Sequence, residues 1–138
     1  MSLVFIVYTY LGYHLILMIF NKLIKNNYPN KKNHTLEPNV TIIIAAHNEM
    51  DVIGNRIRNL LSLSYPIEKI EIIIGSDGSN DKTVHEARMF EDKGVKVLDF
   101  PKNRGKALTY NDLIKLANND IIVSTDADSK FDKNFIEH

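Results

Sequence analysis

Two aspartates, Asp126 and Asp128, stand one residue apart at the end of an apolar run. In an extended segment residues i and i+2 point to the same side, so both carboxylates can face one ligand. Hard oxygen donors of this kind suit Mg2+ or Mn2+, which can bridge a diphosphate. The competing reading is a solvated turn in which Ser129 caps the next segment. Asp77-Gly78-Ser79 follows another apolar run. Gly78 permits a tight turn, and the Asp77 carboxylate can accept hydrogen bonds from a nucleobase N–H or a ribose hydroxyl. The same three residues could equally do no more than build the turn and cap a helix. Asn103-Arg104-Gly105-Lys106 puts two cations and a glycine at a helix start, where backbone N–H groups and the two side chains can hold phosphate oxygens. Taken alone, that cluster reads as a solvated basic loop, and it lacks the GxxxxGK[ST] spacing of a Walker A loop. His47-Asn48-Glu49 offers a flat ring able to stack on a base, with a carboxylate beside it. A general-base role for His47 has no neighbouring nucleophile in the sequence to support it.

The elements that must carry these clusters are legible in the hydropathy pattern. Val40 to Ala46 (VTIIIAA) and Ile70 to Gly75 (IEIIIG) are continuous apolar runs of strand length, which suit strands buried on both faces. Val95 to Phe100 alternates as a third strand, and Asp120 to Thr125 makes a fourth. Between them, Val52, Ile53, Ile57, Leu60 and Leu61 recur at helical spacing, with Asp51 placed to cap the start. Val84, Ala87 and Arg88 mark a second helix, capped by Ser79 or Asn80. Ala107, Leu108, Ile114 and Ala117 mark a third. Strand and helix alternate with short connections, which predicts an α/β domain with a mainly parallel sheet flanked by helices. The four polar clusters each follow one of the four strands. Ligands of open parallel sheets bind outside the carboxyl ends of the strands, so all four clusters fall on one rim. The opposite loops, Lys93–Gly94 and Asn118–Asn119, carry only turn residues.

Ahead of this domain, Leu3 to Phe20 runs for 18 residues with no charged side chain apart from a possible His14. At about 1.5 Å per helical residue it reaches roughly 27 Å, near the thickness of a hydrocarbon core. Lys22, Lys25, Lys31 and Lys32 follow with no acid before Glu37, which predicts a cytoplasmic location for the rest of the chain by the positive-inside pattern. A cleaved signal peptide fits less well, because no basic segment precedes the run and no small-x-small cleavage site follows it. The expected organisation is a membrane anchor over 1–21, a basic linker over 22–38 and the α/β domain over 39–138. The 138 residues contain no cysteine, which excludes a disulfide framework and thiolate-bound metals. Lys+Arg and Asp+Glu are both 17; the basic excess expected of a nucleic-acid binder is missing. There is likewise no GxSxG, HExxH or GxGxxG pattern.

In motif order the chain resembles the family 2 glycosyltransferases of the GT-A fold. Within them it is similar to the membrane-bound processive type, such as the poly-β-1,6-N-acetylglucosamine, hyaluronan and cellulose synthases. The resemblance covers 39–138 and rests on Ala45-Ala46-His47-Asn48-Glu49, Ser76-Asp77-Gly78-Ser79-Asn80-Asp81-Lys82-Thr83, Asn103-Arg104-Gly105-Lys106-Ala107-Leu108-Thr109-Tyr110-Asn111 and Asp126-Ala127-Asp128-Ser129. Ala45 stands where the family has Pro, Ser76 where it has a first Asp, and His47 where it commonly has Tyr. The resemblance implies a nucleotide-sugar donor, usually a UDP-sugar, with Asp77 on the base and His47 stacked near it, Glu49 close by, and Lys106 with Arg104 near the ribose and diphosphate. Asp126 would contact the donor and share with Asp128 a Mg2+ or Mn2+ ion. The implied reaction is an inverting transfer to a saccharide or lipid-linked acceptor at a membrane. The family's catalytic base is an Asp of the second half, so the resemblance places it beyond His138, and the GT-A sheet is expected to be incomplete here. Two other readings compete. One is a membrane-tethered nucleotide-binding remnant. The other is a sugar-1-phosphate nucleotidyltransferase, which would want a Gly-rich phosphate loop after the first strand where His47-Asn48-Glu49-Met50-Asp51 stands.

Overall fold

In a computed structural model of the chain, residues 5, 8–24 and 37–136 are described. They belong to two compact units, 1–36 and 37–138. In the first, a π-helical turn (Tyr8–Gly12) leads into α1 (Tyr13–Ile24). Leu15, Leu17, Met18, Ile19 and Phe20 on it are all exposed. The helix runs on through Asn21–Ile24, the opening residues of the expected linker. The rest of that linker up to Leu36, and the first residues of the expected span, lie outside the described residues. Among the described residues no helix is long and apolar enough to cross a membrane, because α1 is 12 residues long and the π-helical turn interrupts the run before it. The expected transmembrane helix is not seen among the described residues.

The second unit alternates strand and helix throughout. In order it contains β1 (Val40–Ala46), α2 (Met50–Leu61), β2 (Ile70–Asp77), α3 (Thr83–Arg88), β3 (Val95–Phe100), α4 (Lys106–Leu116) and β4 (Ile121–Thr125). The strands form one sheet in the order β3-β2-β1-β4, and every pairing is parallel. The chain steps outward from β1 to β2 to β3 and then returns to the other side of β1. That reversal makes β1 and β4 the switch point, where open α/β sheets leave a crevice at the carboxyl ends.

Continuous apolar strands are explained by cover on both faces. Ile42, Ile44, Ile72 and Ile74 pack with Ile53, Ile57 and Leu60 of α2 and Ala87 of α3. The residues between them, Ile43 and Ile73, turn to the other face and meet Leu113 of α4. The in-register pairs Ile42–Ile72 and Ile43–Ile73 keep the two sets apart. α4 comes down on Gly75 so closely that a Cβ there would meet the Thr109 side chain at 2.8 Å and Leu113 at 3.0 Å. The predicted bounds of β1 and β3 coincide with the observed ones, whereas β2 continues past Gly75 to Asp77.

Candidate functional site

The turns after β1 and β2 are bonded to each other. Asn48, at φ 55°, adopts the left-handed conformation that Asn tolerates better than most residues. From there its N–H donates to Ser79 Oγ (3.1 Å) and its side-chain oxygen accepts the Asn80 N–H (2.8 Å). Ser76 Oγ also donates to Ser79 (2.9 Å). One carboxylate then serves two helices. Asp81 accepts the N–H of Met50, which opens α2 (3.2 Å), and the N–H of Thr83, which opens α3 (2.9 Å). Burial alone would raise the Asp81 carboxyl; the bonds from the Thr83 hydroxyl and N–H and from Met50 outweigh it and hold it below the ordinary range. The caps expected from the sequence are corrected accordingly. Asp51 lies inside α2, and Ser79 and Asn80 tie the two turns together rather than capping α3. The spacing Asp81-x-Thr83, an Asx-type turn, was the available signal.

Asp77 is 3% exposed and anchors the loop ahead of α4. Its two oxygens accept the N–H groups of Arg104 (2.9 Å) and Gly105 (2.8 Å). Burial pushes its carboxyl up, but those N–H groups and the nearby Thr109 hydroxyl push it further down, below the usual range. Thr109 acts there by proximity, since its buried oxygen has no hydrogen-bond partner of proper geometry. Gly78 is required at this crossing: at φ +65°, a Cβ would lie 2.3 Å from the Asn103 nitrogen and 2.4 Å from the Lys102 carbonyl carbon. His47 Nδ1 lies 2.8 Å from the Asp77 carbonyl oxygen. A carbonyl can only accept, so Nδ1 carries a proton toward it; in the neutral ring Nε2 is then the acceptor, 3.3 Å from the Asn48 side-chain nitrogen. The ring is thereby fixed in orientation at the mouth of a cleft of about 270 Å3, lined by His47, Glu49, Asp77, Asn103, Gly105 and Lys106.

The acidic pair lies across from this cleft. Lys106, the first residue of α4, forms an ion pair with Asp126. The hydrogen bond to Asp126 holds the Lys106 ammonium above its usual range, and the same bond holds Asp126 below its own. Tyr110 Oη donates to the Thr125 carbonyl (3.0 Å), fixing the end of β4 against α4. Ala127 is buried at 5% exposure, so Asp126 and Asp128 on either side of it are turned out to solvent. Asp128 makes no hydrogen bond or ion pair with the described residues. It borders a second cleft of about 320 Å3 with Arg56 and Lys130. Arg104 is placed differently: its guanidinium bonds Asp112 (2.9 Å) and lies 4.0 Å over the Phe100 ring, and it does not line the cleft, which it meets only through its N–H bond to Asp77. Among the described residues no group of three His, Asp or Glu side chains is placed to hold a metal. Two exposed carboxylates nevertheless fit Mg2+ or Mn2+, which take one or two protein carboxylates and fill their remaining positions with water and substrate phosphates.

The sheet, the switch point and the carboxyl-rim clusters define an α/β domain of the GT-A type. The chain belongs to the family described as "Glycosyl transferase family 2", whose sequence pattern matches residues 41–138. It is 39% identical over 95 residues to a poly-beta-1,6-N-acetyl-D-glucosamine synthase of Staphylococcus aureus (strain MSSA476), covering 68% of this chain and 23% of that protein. Against the synthase of Staphylococcus epidermidis it is 36% identical over 103 residues, covering 74% and 24%. The chain thus spans about a quarter of the length of these curated relatives. Among solved structures, the mannosyltransferase PcManGT from Pyrobaculum calidifontis, in complex with GDP-Man and Mn2+, superposes with a TM-score of 0.73 at 23% identity, over 97% of this chain and 41% of that one. S. aureus TarS 1–349 in complex with UDP-GlcNAc superposes at 0.65 and 22% identity, over 71% and 29%. Both structural likenesses bear on the fold.

Proposed function

We propose that the unit over 37–138 is the donor-binding half of a metal-dependent, inverting glycosyltransferase that takes a UDP-sugar. The acceptor would be a saccharide or lipid-linked saccharide. The observation that carries this reading is the division of the carboxyl rim. A cleft suited to a nucleoside, bordered by His47, Glu49 and Asp77, lies on one side of Lys106, and the exposed pair Asp126 and Asp128 lies on the other. A nucleoside diphosphate laid across the rim would meet these in sequence. The His47 ring would stack on the base. Asp77 has spare lone pairs beyond its two backbone bonds, with which to accept a base N–H. Lys106 would pass from Asp126 to a phosphate oxygen, and Arg104 could join it only by leaving Asp112. Asp126 and Asp128 would hold Mg2+ or Mn2+, whose chemistry when bound is to neutralise the diphosphate as it departs. The synthase relatives make UDP-N-acetylglucosamine the first donor to try.

Titration calorimetry tests the proposal. UDP should bind, and adding Mn2+ should tighten it about tenfold, equivalent to about 1.4 kcal/mol. GDP and ADP should bind more weakly. Equal affinity for all three nucleotides would remove Asp77 and His47 from base recognition, and no gain from Mn2+ would remove the metal role of the acidic pair. The exposed apolar side chains around α1 favour a membrane attachment for the preceding segment, with the enzyme unit on the cytoplasmic side. The chain should then float with phospholipid vesicles in a density gradient; recovery at the bottom would count against attachment.

A further inference from the structure

The Asp126–Lys130 loop carries the acidic pair yet has little internal bonding, with one long turn contact from the Ser129 N–H to the Asp126 carbonyl (3.4 Å). Its order must come from outside, and α2 supplies two side chains at its ends. Arg56 is 2% exposed and has no carboxylate within bonding distance among the described residues. Its Nη2 donates to Thr125 Oγ1 (2.7 Å), immediately before the loop. Its guanidinium lies 4.0 Å over the Phe131 ring, immediately after the loop. Its Nη1 donates to Asn59 Oδ1 (2.8 Å), one turn further along α2. Asn59 then holds the Phe131 backbone on both sides, accepting its N–H (2.9 Å) and donating to its carbonyl (3.0 Å). Arg56 Nε remains without a partner.

A buried guanidinium without a bonded carboxylate is unfavourable to folding, so stability alone is a poor reason for an arginine at this position. Burial lowers its pKa, and the charges of Asp126 and Asp128 act in the opposite direction. The cation is thus a neighbour of both acids while bonded to neither, which leaves Asp126 to its ion pair with Lys106 and Asp128 unbonded among the described residues.

We infer that Arg56 and Asn59 form a two-ended clamp that positions the Asp126–Lys130 loop, keeping Asp126 and Asp128 on the rim facing the donor cleft. They are positioning residues, acting through Thr125 and Phe131. The part of the inference that concerns metal rests on the proposed function; the part that concerns loop order does not.

Hydrogen exchange and UDP titration with and without Mn2+, on the full chain and on R56M, T125V and N59A, separate the two. T125V and N59A each release one end and guard against a failure of R56M to fold. Exchange over 126–131, read chiefly at the Phe131 amide that Asn59 holds, should speed up at least tenfold in each folded variant, while amides of β1 and α4 keep their protection. The gain in UDP affinity on adding Mn2+ should fall about tenfold, with metal-free UDP affinity within twofold of the parent. R56K, which can reach Thr125 but cannot fork to Asn59, should recover part of both effects. Unchanged exchange over 126–131, the Phe131 amide included, would overturn the clamp, as would acceleration spread evenly over the sheet. Faster loop exchange with an intact Mn2+ gain would overturn the link between the clamp and the acidic pair. If the parent itself gains nothing from Mn2+, the metal reading fails while the exchange data still decide the clamp.

Discussion

Each edge of the sheet gathers carboxylates, but the two edges use them differently. At the amino edge Glu71, the second residue of β2, accepts bonds from Thr41 Oγ1 of β1 (2.7 Å), Lys96 Nζ of β3 (2.6 Å) and the Asn118 N–H beyond α4 (2.9 Å). The Asn118 side-chain amide donates to it as well. Burial would raise its carboxyl, yet these bonds bring it down to about 2. At the carboxyl edge Asp128 has no bonded partner among the described residues, and Asp126 is held by a lysine about half exposed. A carboxylate whose lone pairs are filled by the protein ties elements together. One left open to solvent has capacity for a ligand. Asp77 stands between these cases, with both oxygens bonded by the chain and its acceptor capacity not exhausted.

The largest effect should come from Gly78→Ala. The added methyl meets backbone of the crossing loop, which cannot swing away as a side chain would. A loss of about 3 kcal/mol or more in denaturant unfolding is expected. A mild loss would mean that the two loops are not locked together at that crossing. Glu71→Ala should cost about 2–3 kcal/mol by stranding its donors, with UDP affinity within twofold of the parent. A drop in UDP binding as steep as the drop in stability would erase the distinction between the edges. Asp128→Asn should do the reverse: the melting temperature stays within about 2 °C, while the affinity gained from Mn2+ is lost. A clear fall in melting temperature would show that this carboxylate is structural after all.

Acid titration gives the smallest and most specific signal. The folded carboxyl of Glu71, at about 2, lies below the ordinary 4.5. Its contribution is fully present above the ordinary value and is lost as pH falls from there toward the folded one. Unfolding followed from pH 5 to pH 2 should show a shallower acid limb in Glu71→Gln than in the parent. Parallel limbs would mean that Glu71 is not the hub described.

The sequence and the structure agree where local pattern governs and part where distant groups meet. β1 and β3 were readable from unbroken or alternating hydropathy. β2 runs on because Ser76 and Asp77, polar and therefore read as loop, are buried, Asp77 by bonds from Arg104 and Gly105 more than two dozen residues away. All four clusters were expected on one rim, and they lie there because every strand is parallel. Arg56 was not singled out, since an arginine beside the apolar stripe Ile53, Ile57 and Leu60 reads as solvent-facing; only the arrival of Thr125 and Phe131 covers it. The Asn118–Asn119 turn reads as plain connection, yet its amides complete the bonding of Glu71 and Thr41. Arg104 reads as a phosphate ligand by type and position, and Asp112 with Phe100 engages it first. Such contacts depend on which segments the sheet order brings together, and hydropathy spacing carries no record of that.

The return of the chain to β1 also sets an order of events during synthesis. β1 acquires β2 early, but its other edge stays open until β4 arrives to pair Val40 with Ile121. Closing a contact that distant is slow compared with forming the local βα units. Throughout that interval the nascent chain presents VTIIIAA as an unprotected edge, a segment whose apolar, uncharged character favours pairing with other chains. β4, made after β2 and β3, is therefore the strand that guards β1 against aggregation, and it brings the acidic pair to the rim as it closes.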